Sequence, residues 1–287
     1  IPKDTHPMDV MSAACAMLGC LEPENNDFRN QMEVTERIYS VLPSILFYWY
    51  HYHKSGSQIE TETDDDTLSG HILSLLTGKK PEEQHRRALD VSLILYAEHE
   101  FNASTFTARV VASTLSNYHS AITAAIGALR GPLHGGANEA AYGLINQFQT
   151  PEEVENGLLE RLRSKKLIMG FGHRVYKISD PRNPIIKQLA KELAVSVQNT
   201  VMFSVAERIE EIMWREKNLF PNLDFYSACS YHFLGFPTEI FTPIFVISRL
   251  TGWAAHIIEQ RGNNKLIRPL SDYTGPDLRA VVPIDER

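Results

Sequence analysis

The fourteen residues Leu129-Arg130-Gly131-Pro132-Leu133-His134-Gly135-Gly136-Ala137-Asn138-Glu139-Ala140-Ala141-Tyr142 decide how this chain is read. They set one histidine in a glycine-bounded bend. Directly after it, Ala137, Ala140, Ala141, Leu144 and Ile145 recur at helical spacing and predict a helix. Glycine lets backbone come close to a ligand. A histidine at a helix N-terminus meets the positive end of the macrodipole, which favours the neutral imidazole. That neutral ring can still donate one hydrogen bond to a carbonyl oxygen, as enolate-forming enzymes require. On its own, His134 reads equally well as a satisfied structural histidine.

Outward from this bend the pattern stays helical. Ala112 to Leu129 carries five alanines and a glycine, which suits closely packed helices. Thr150-Pro151-Glu152-Glu153 predicts a helix start, with a capping hydroxyl, proline at the first helical position and glutamate at the third. Asn183-Pro184 opens another helix, with Ile185, Ile186, Leu189 and Leu193 on one face, and Val205, Ile209, Ile212 and Met213 continue at the same spacing. Strand-like alternation is scarce and no βαβ rhythm is present, so the expected class is all-α. No repeat and no low-complexity linker marks a boundary. A second domain would have to be inserted between loops, with Gly131 to Gly136 and Gly235 as hinges.

A chain of 287 residues can bury a sizeable core in one large or two modest domains. The net charge of -7 excludes a global attraction to nucleic acid or anionic membrane, though a local basic pocket remains compatible with a phosphorylated ligand. Cys15, Cys20 and Cys229 form neither a CxxC pair nor an even disulfide framework, which predicts a reducing, cytoplasmic setting. The apolar run from Val41 to Tyr50 contains Pro43 and is too short to span a bilayer, and no secretory signal is visible. The chain begins at Ile1 rather than Met, as a fragment or processed product would. Asn102-Ala103-Ser104 matches a glycosylation sequon without meaning in a cytosolic protein.

Further candidates cluster in loops. Gly170-Phe171-Gly172-His173 lacks the third glycine of a dinucleotide fingerprint but can serve as a backbone platform for a nucleotide-bearing ligand. His173 and Arg174, followed by Asp180-Pro181-Arg182, are either a capped turn or a polar site. Asp224 in Pro221-Asn222-Leu223-Asp224 could cap a helix beginning at Phe225 and still keep one carboxylate oxygen free. Arg249 lies on an otherwise apolar helix and needs a partner, a dianionic substrate being one. Arg268 follows Asn263-Asn264-Lys265 in a loop and could supply another carboxylate clamp. Glu98-His99-Glu100 sits in what reads as an apolar helical stretch and is not an HExxH motif; His51 and His53 are spaced as structural residues. The acidic run Thr61 to Thr67 reads as a solvated turn and helix start. Two loop histidines and a loop carboxylate suggest proton abstraction beside a carbonyl. No P-loop, Ser-His-Asp or Cys-His arrangement is present, and Cys229 is expected to be buried rather than nucleophilic.

Taken in order, Gly131-Pro-Leu-His134-Gly-Gly-Ala-Asn138, Gly170-Phe-Gly-His173 with Asp180-Pro-Arg182, and Pro221-Asn-Leu-Asp224-Phe-Tyr-Ser227 resemble the citrate synthase family over essentially the whole chain. Within it, His6-Pro-Met-Asp9, Leu46 to His51, Ala97 to Thr105, Ser230-Tyr-His232 and Gly252 to Arg261 are closer to the branch that makes 2-methylcitrate. The resemblance implies an all-helical homodimer. Its large domain would comprise residues 1–134 and 236–287, without an N-terminal region that the family carries, and its small mobile domain residues 135–235. It implies condensation of propionyl-CoA, and also acetyl-CoA, with oxaloacetate and water, with no metal and no permanently bound cofactor. Asp224 would take the α-proton, His134 would stabilise the enolate and His173 would polarise the ketone. His99, Arg182, Arg249 and Arg268 would hold carboxylates, Arg268 reaching across the dimer, and Leu167, Ile168, Met169, Gly170 and Phe171 would present backbone to the CoA adenine. The alternatives are an acetyl-CoA-preferring citrate synthase and, more remotely, a non-catalytic helical scaffold.

Overall fold

The computed structural model describes all 287 residues and contains twelve α-helices and no strand. The first six are α1 (Pro7–Leu21), α2 (Gln31–Ser55), α3 (Leu68–Thr77), α4 (Glu83–Tyr96), α5 (Ala103–Ser113) and α6 (Tyr118–Leu129). Then come α7 (Ala137–Ile145), α8 (Pro151–Arg163), α9 (Asn183–Ser196), α10 (Thr200–Lys217), α11 (Leu223–Phe233) and α12 (Phe241–Gly262).

Side-chain caps set several of the helix starts. The Thr67 hydroxyl accepts from Gly70 N at 3.1 Å and starts α3, so the acidic run ahead of it is a turn and cap, with Asp65 accepting from Thr67. Asn102 Oδ1 accepts from Thr105 N at 3.2 Å, so the apparent sequon is the N-cap of α5. Three expectations change. Helix α8 begins at Pro151 as predicted, but the Thr150 side chain makes no capping bond; Glu153 reaches back to Gln149 N instead. On α9 the buried face is Ile186, Ala190 and Leu193, leaving Ile185 exposed and Leu189 half-buried. Helix α4 ends at Tyr96, so Glu98, His99 and Glu100 are in a loop, with Glu100 in the left-handed region at φ 51°.

The helices pack as two groups. Helices α1 to α6 and α12 contact one another, α7 to α11 do likewise, and α4 and α12 touch both groups through α9, α11 and α7. One apolar cluster runs through the whole. At its centre is α12, which buries Ile244, Val246, Ile247, Leu250, Trp253 and Ile257 against α2, α4, α5 and α6. With the turn before it, this helix (Thr238–Gly262), not Val41 to Tyr50, is long and apolar enough to cross a membrane. Here 83% of its apolar window is buried inside the fold.

Two glycines permit close approach. A Cβ on Gly252 would fall 2.3 Å from Ala97 O, so only glycine brings α12 against the end of α4; one on Gly135 would fall 2.1 Å from Leu129 O. Across the first group, Arg261 of α12 donates from Nη1 and Nη2 to Glu24 at 2.6 and 2.9 Å, both side chains being almost fully buried. Glu24 also accepts from Tyr118 N at 2.7 Å, which joins the α1–α2 loop, α6 and α12. Glu24→Ala would strand a buried guanidinium and is expected to cost about 3–5 kcal/mol in denaturant unfolding, whereas loss of a surface pair would cost ~1 kcal/mol or less.

Candidate active site

Where α4, α11 and α12 meet the loops before α5, α7 and α9, a cavity of about 660 Å³ opens. Tyr96, His99, Asn102, His134, His173, Arg182, Asn222, Asp224, Phe245 and Arg249 line it. Six of the singled-out side chains, spread over 150 residues of sequence from His99 to Arg249, therefore converge. A larger hollow of about 1030 Å³ lies between α2 and residues 61–71. Arg37, His71 and Asp65 there are satisfied by Glu22, by Thr63 and Ser44, and by Thr67, and none of the candidate catalytic residues lines it.

Arg249 is the feature that makes it a site. It is 3% exposed, its Nε donates to Tyr96 O at 2.7 Å, its guanidinium lies over Phe245, and no carboxylate pairs with it. Burial and the nearby Arg182 charge push its pKa down to about 10. Arg182 is paired: it donates from Nε and Nη2 to the two oxygens of Asp180 at 3.0 and 2.8 Å. Asp180 is itself buried and accepts from Leu223 N at 3.0 Å, which ties this arginine to the start of α11. Burial alone would raise the Asp180 carboxyl; the Arg182 contacts outweigh it and hold the pKa low.

Both loop histidines are neutral donors for reasons of backbone geometry. His134 Nε2 accepts from Ser104 N at 3.1 Å, with Ser104 Oγ at 2.8 Å, so the ring proton is on Nδ1. The helix start that sets its state is therefore α5, not α7, which begins three residues later behind Gly136 at φ 78°. Trp253 Nε1 donates to the same Ser104 hydroxyl at 3.1 Å and holds it in place. Burial and the Arg249 charge push the His134 pKa down to about 4. His173 Nδ1 accepts from Val175 N and Tyr176 N, both at 3.1 Å, which leaves Nε2–H free to donate. Its pKa is lowered by burial, His99 and Arg182. The His99 ring lies 5.0 Å from that of His173, and its buried Nε2 has no hydrogen-bond partner. Its pKa is lowered by burial and by the two arginines.

Asp224 is in the first turn of α11 and does not cap it. Asn222 is the cap, accepting from Asp224 N at 3.0 Å. The Asp224 carboxylate instead takes a 2.5 Å hydrogen bond from Tyr96. Burial raises its pKa, opposed by Tyr96, Arg182 and Arg249. Asn222 also donates to Gly172 O at 3.0 Å, while Asn222 N bonds Gly170 O and Gly172 N bonds Phe220 O. This short pairing clamps the His173 loop to the Asp224 loop. Tyr96 and Phe245 carry no motif spacing that singles them out in the sequence; Ser104 stands out only as the last residue of the sequon and Asn222 only within the Pro221-Asn-Leu-Asp224 turn.

Two predicted groups do not line this cavity. Arg268 is exposed in the extended segment after α12 and does not line the cavity. Leu167 to Phe171 do not line the cavity either; Leu167 is exposed and Gly170 is buried against Phe225. Cys229 is buried in α11, away from any nucleophilic role.

A helical fold that gathers a buried unpaired arginine, two imidazole donors and one sunken carboxylate in one cavity has the groups that proton abstraction beside a carbonyl requires. Comparison with known proteins narrows this class. The family described as "Citrate synthase, C-terminal domain" matches residues 1–270. A 2-methylcitrate synthase from Shewanella oneidensis is 54% identical over 287 residues, covering 100% of this chain and 76% of its own length. Citrate synthase 2 of Bacillus subtilis is 43% identical, covering 99% of this chain and 77% of its own. A structure of Thermoplasma acidophilum citrate synthase in ternary complex with carboxymethyl coenzyme A and oxaloacetate superposes with a TM-score of 0.87. It shares 35% identity and covers 100% of this chain and 77% of that one. The chain belongs to the citrate synthase family, enzymes that condense an acyl-CoA with oxaloacetate.

The state of His134 predicts a pH dependence of stability. Its folded pKa lies below the ordinary 6.5, so the neutral ring's contribution is complete above pH 6.5 and is lost as pH falls toward about 4. His134→Gln, whose amide oxygen can accept the Ser104 N–H, is expected to flatten that acid-side loss. Urea unfolding of both proteins across this interval measures it, and equal slopes would contradict the assignment.

Proposed function

We propose that this enzyme condenses propionyl-CoA, and also acetyl-CoA, with oxaloacetate and water to give 2-methylcitrate or citrate and free CoA. The buried, unpaired Arg249 is the observation that carries the reading: its charge calls for an anion, and the orphaned His99 Nε2 and Arg182 stand beside it. Oxaloacetate offers two carboxylates to these groups and a ketone to His173.

In this reading Asp224 removes a proton from the acyl α-carbon, and His134 Nδ1–H stabilises the oxygen of the resulting enol or enolate. The α-carbon attacks the ketone carbon of oxaloacetate as His173 Nε2–H supplies the proton to the new hydroxyl. Water then cleaves the thioester to product and CoA thiol. Both donors are neutral, which matches them to oxygens that gain charge during reaction rather than to anions present beforehand.

The higher identity to the Shewanella oneidensis 2-methylcitrate synthase than to Bacillus subtilis citrate synthase 2 favours propionyl-CoA and a place in propionate breakdown. An acetyl-CoA-preferring citrate synthase is the second reading, since one extra methyl in an apolar pocket discriminates by only ~1–3 kcal/mol. CoA would lie along Leu167, Ile168, Met169, Gly170 and Phe171, the segment that leads into the His173 loop. Domain closure of residues 135–235 over 1–134 and 236–287 is supported by the two packing groups and by positive-φ Gly136 and Gly235 at their joints. The segment after α12, with Arg268 and the exposed Leu270, Tyr273 and Leu278, suits an arm laid on a second protomer of a homodimer. Three free cysteines fit a cytoplasmic setting.

Oxaloacetate-dependent thiol release from each acyl-CoA tests the reaction. A higher kcat/KM for propionyl-CoA supports the first reading, a higher one for acetyl-CoA the second, and no release with either removes both. Asp224→Asn is expected to lower kcat by ~10²–10⁴. Arg249→Gln is expected to raise KM for oxaloacetate by about tenfold or more, the weight of a lost hydrogen bond to a charged group.

A further inference from the structure

Asp224 must be charged to act as a base, yet it is set into an environment that favours the acid. The groups facing it come from four directions. Arg249 approaches from α12, Arg182 with its partner Asp180 from the segment before α9, Ser227 from the next turn of α11, and Tyr96 from the last turn of α4. His134 and His173, both neutral donors, complete the cavity wall. Neither arginine makes a direct ion pair with Asp224. The one hydrogen bond to its carboxylate comes from the Tyr96 phenol, at 2.5 Å.

We propose that Tyr96 is a positioning residue for the reaction: its O–H holds Oδ1 of Asp224, keeps the carboxylate ionised, and leaves Oδ2 to meet the substrate. This rests on the assignment of Asp224 as the base. The phenol cannot swing away, because Ser227 Oγ lies 2.6 Å from its oxygen and its ring packs on Phe245 and Tyr231. Among the influences that hold the Asp224 pKa down against burial, this hydrogen bond is the largest, ahead of both arginine charges. The same residue also serves the anion clamp, but through a different atom: Arg249 Nε donates to its backbone carbonyl at 2.7 Å. Side chain and main chain are therefore separable by mutation.

Tyr96→Phe removes the phenol oxygen and leaves the Arg249 contact in place. The expected result is an acidic limb of the kcat/KM profile moved up by about one pH unit, with activity down about tenfold below that limb and recovering above it. KM for oxaloacetate stays unchanged. Ser227→Ala, which loosens the phenol without removing it, shifts the limb the same way by less, and carries the test should Tyr96→Phe fold poorly. Carboxyl carbon NMR titration of aspartate-labelled protein, with the Asp224 signal assigned by its loss in Asp224→Asn, reads the same shift without turnover. An unmoved Asp224 titration in both variants, or a kcat loss uniform across pH, would overturn the proposal. A wild-type protein without oxaloacetate-dependent thiol release would instead remove the base assignment itself.

Discussion

A guanidinium sealed inside the central core helix, with no carboxylate against it, is the constraint around which this molecule is arranged. Desolvating an ion without a partner is among the costliest things a fold can do. Arg249 is held there by one backbone carbonyl and one aromatic face. Everything near it compensates in kind: Gly252 lets the α4 terminus come close enough to supply that carbonyl, and Arg182 is neutralised by Asp180 so that two bare cations do not face each other. The histidines around it stay uncharged. The fold stores an unmet electrostatic demand at one point, which in the proposed function an incoming dianion meets.

The histidine chemistry is governed by backbone amides rather than by side-chain partners. Ser104 N takes the Nε2 lone pair of His134, and Val175 N and Tyr176 N take the Nδ1 lone pair of His173. An amide can only donate, so each contact selects a tautomer and resists protonation in a way a carboxylate would not. The opposite ring nitrogen of each is thereby left as a donor, one toward each reacting carbonyl in the proposed chemistry.

Much of this was legible in the chain. Glycine-rich loops and helical periodicity announced an all-α protein and pointed to His134, His173, Asp224 and Arg249, because glycine, proline and charged residues in apolar runs leave strong local signals. What stayed hidden depends on contacts between distant segments. The neutral state of His134 was expected from the helix that follows it, but its ring instead meets a helix thirty residues upstream. Asp224 read as a cap, yet Asn222 does the capping and frees the carboxylate for Tyr96. His99 looked helical because Leu93, Ile94, Leu95 and Phe101 continue the period, and only the close crossing at Gly252 shows why the helix stops. Tyr96 itself looks like any core aromatic.

The pairing of Gly170 and Gly172 with Phe220 and Asn222 joins loops fifty residues apart, and Asp180 adds a second bond from the same side to Leu223 N. His173, Arg182 and Asp224 thus form one rigid cartridge, while His99, His134 and Arg249 belong to the other wall. Relative movement of the walls would shift two prefabricated halves against each other about the Tyr96–Asp224 and Tyr96–Ser227 contacts that already join them. In the proposed chemistry the ketone-polarising His173 and the proton-taking Asp224 therefore travel as one piece, and the opposite wall brings His99 and Arg249 to the oxaloacetate carboxylates.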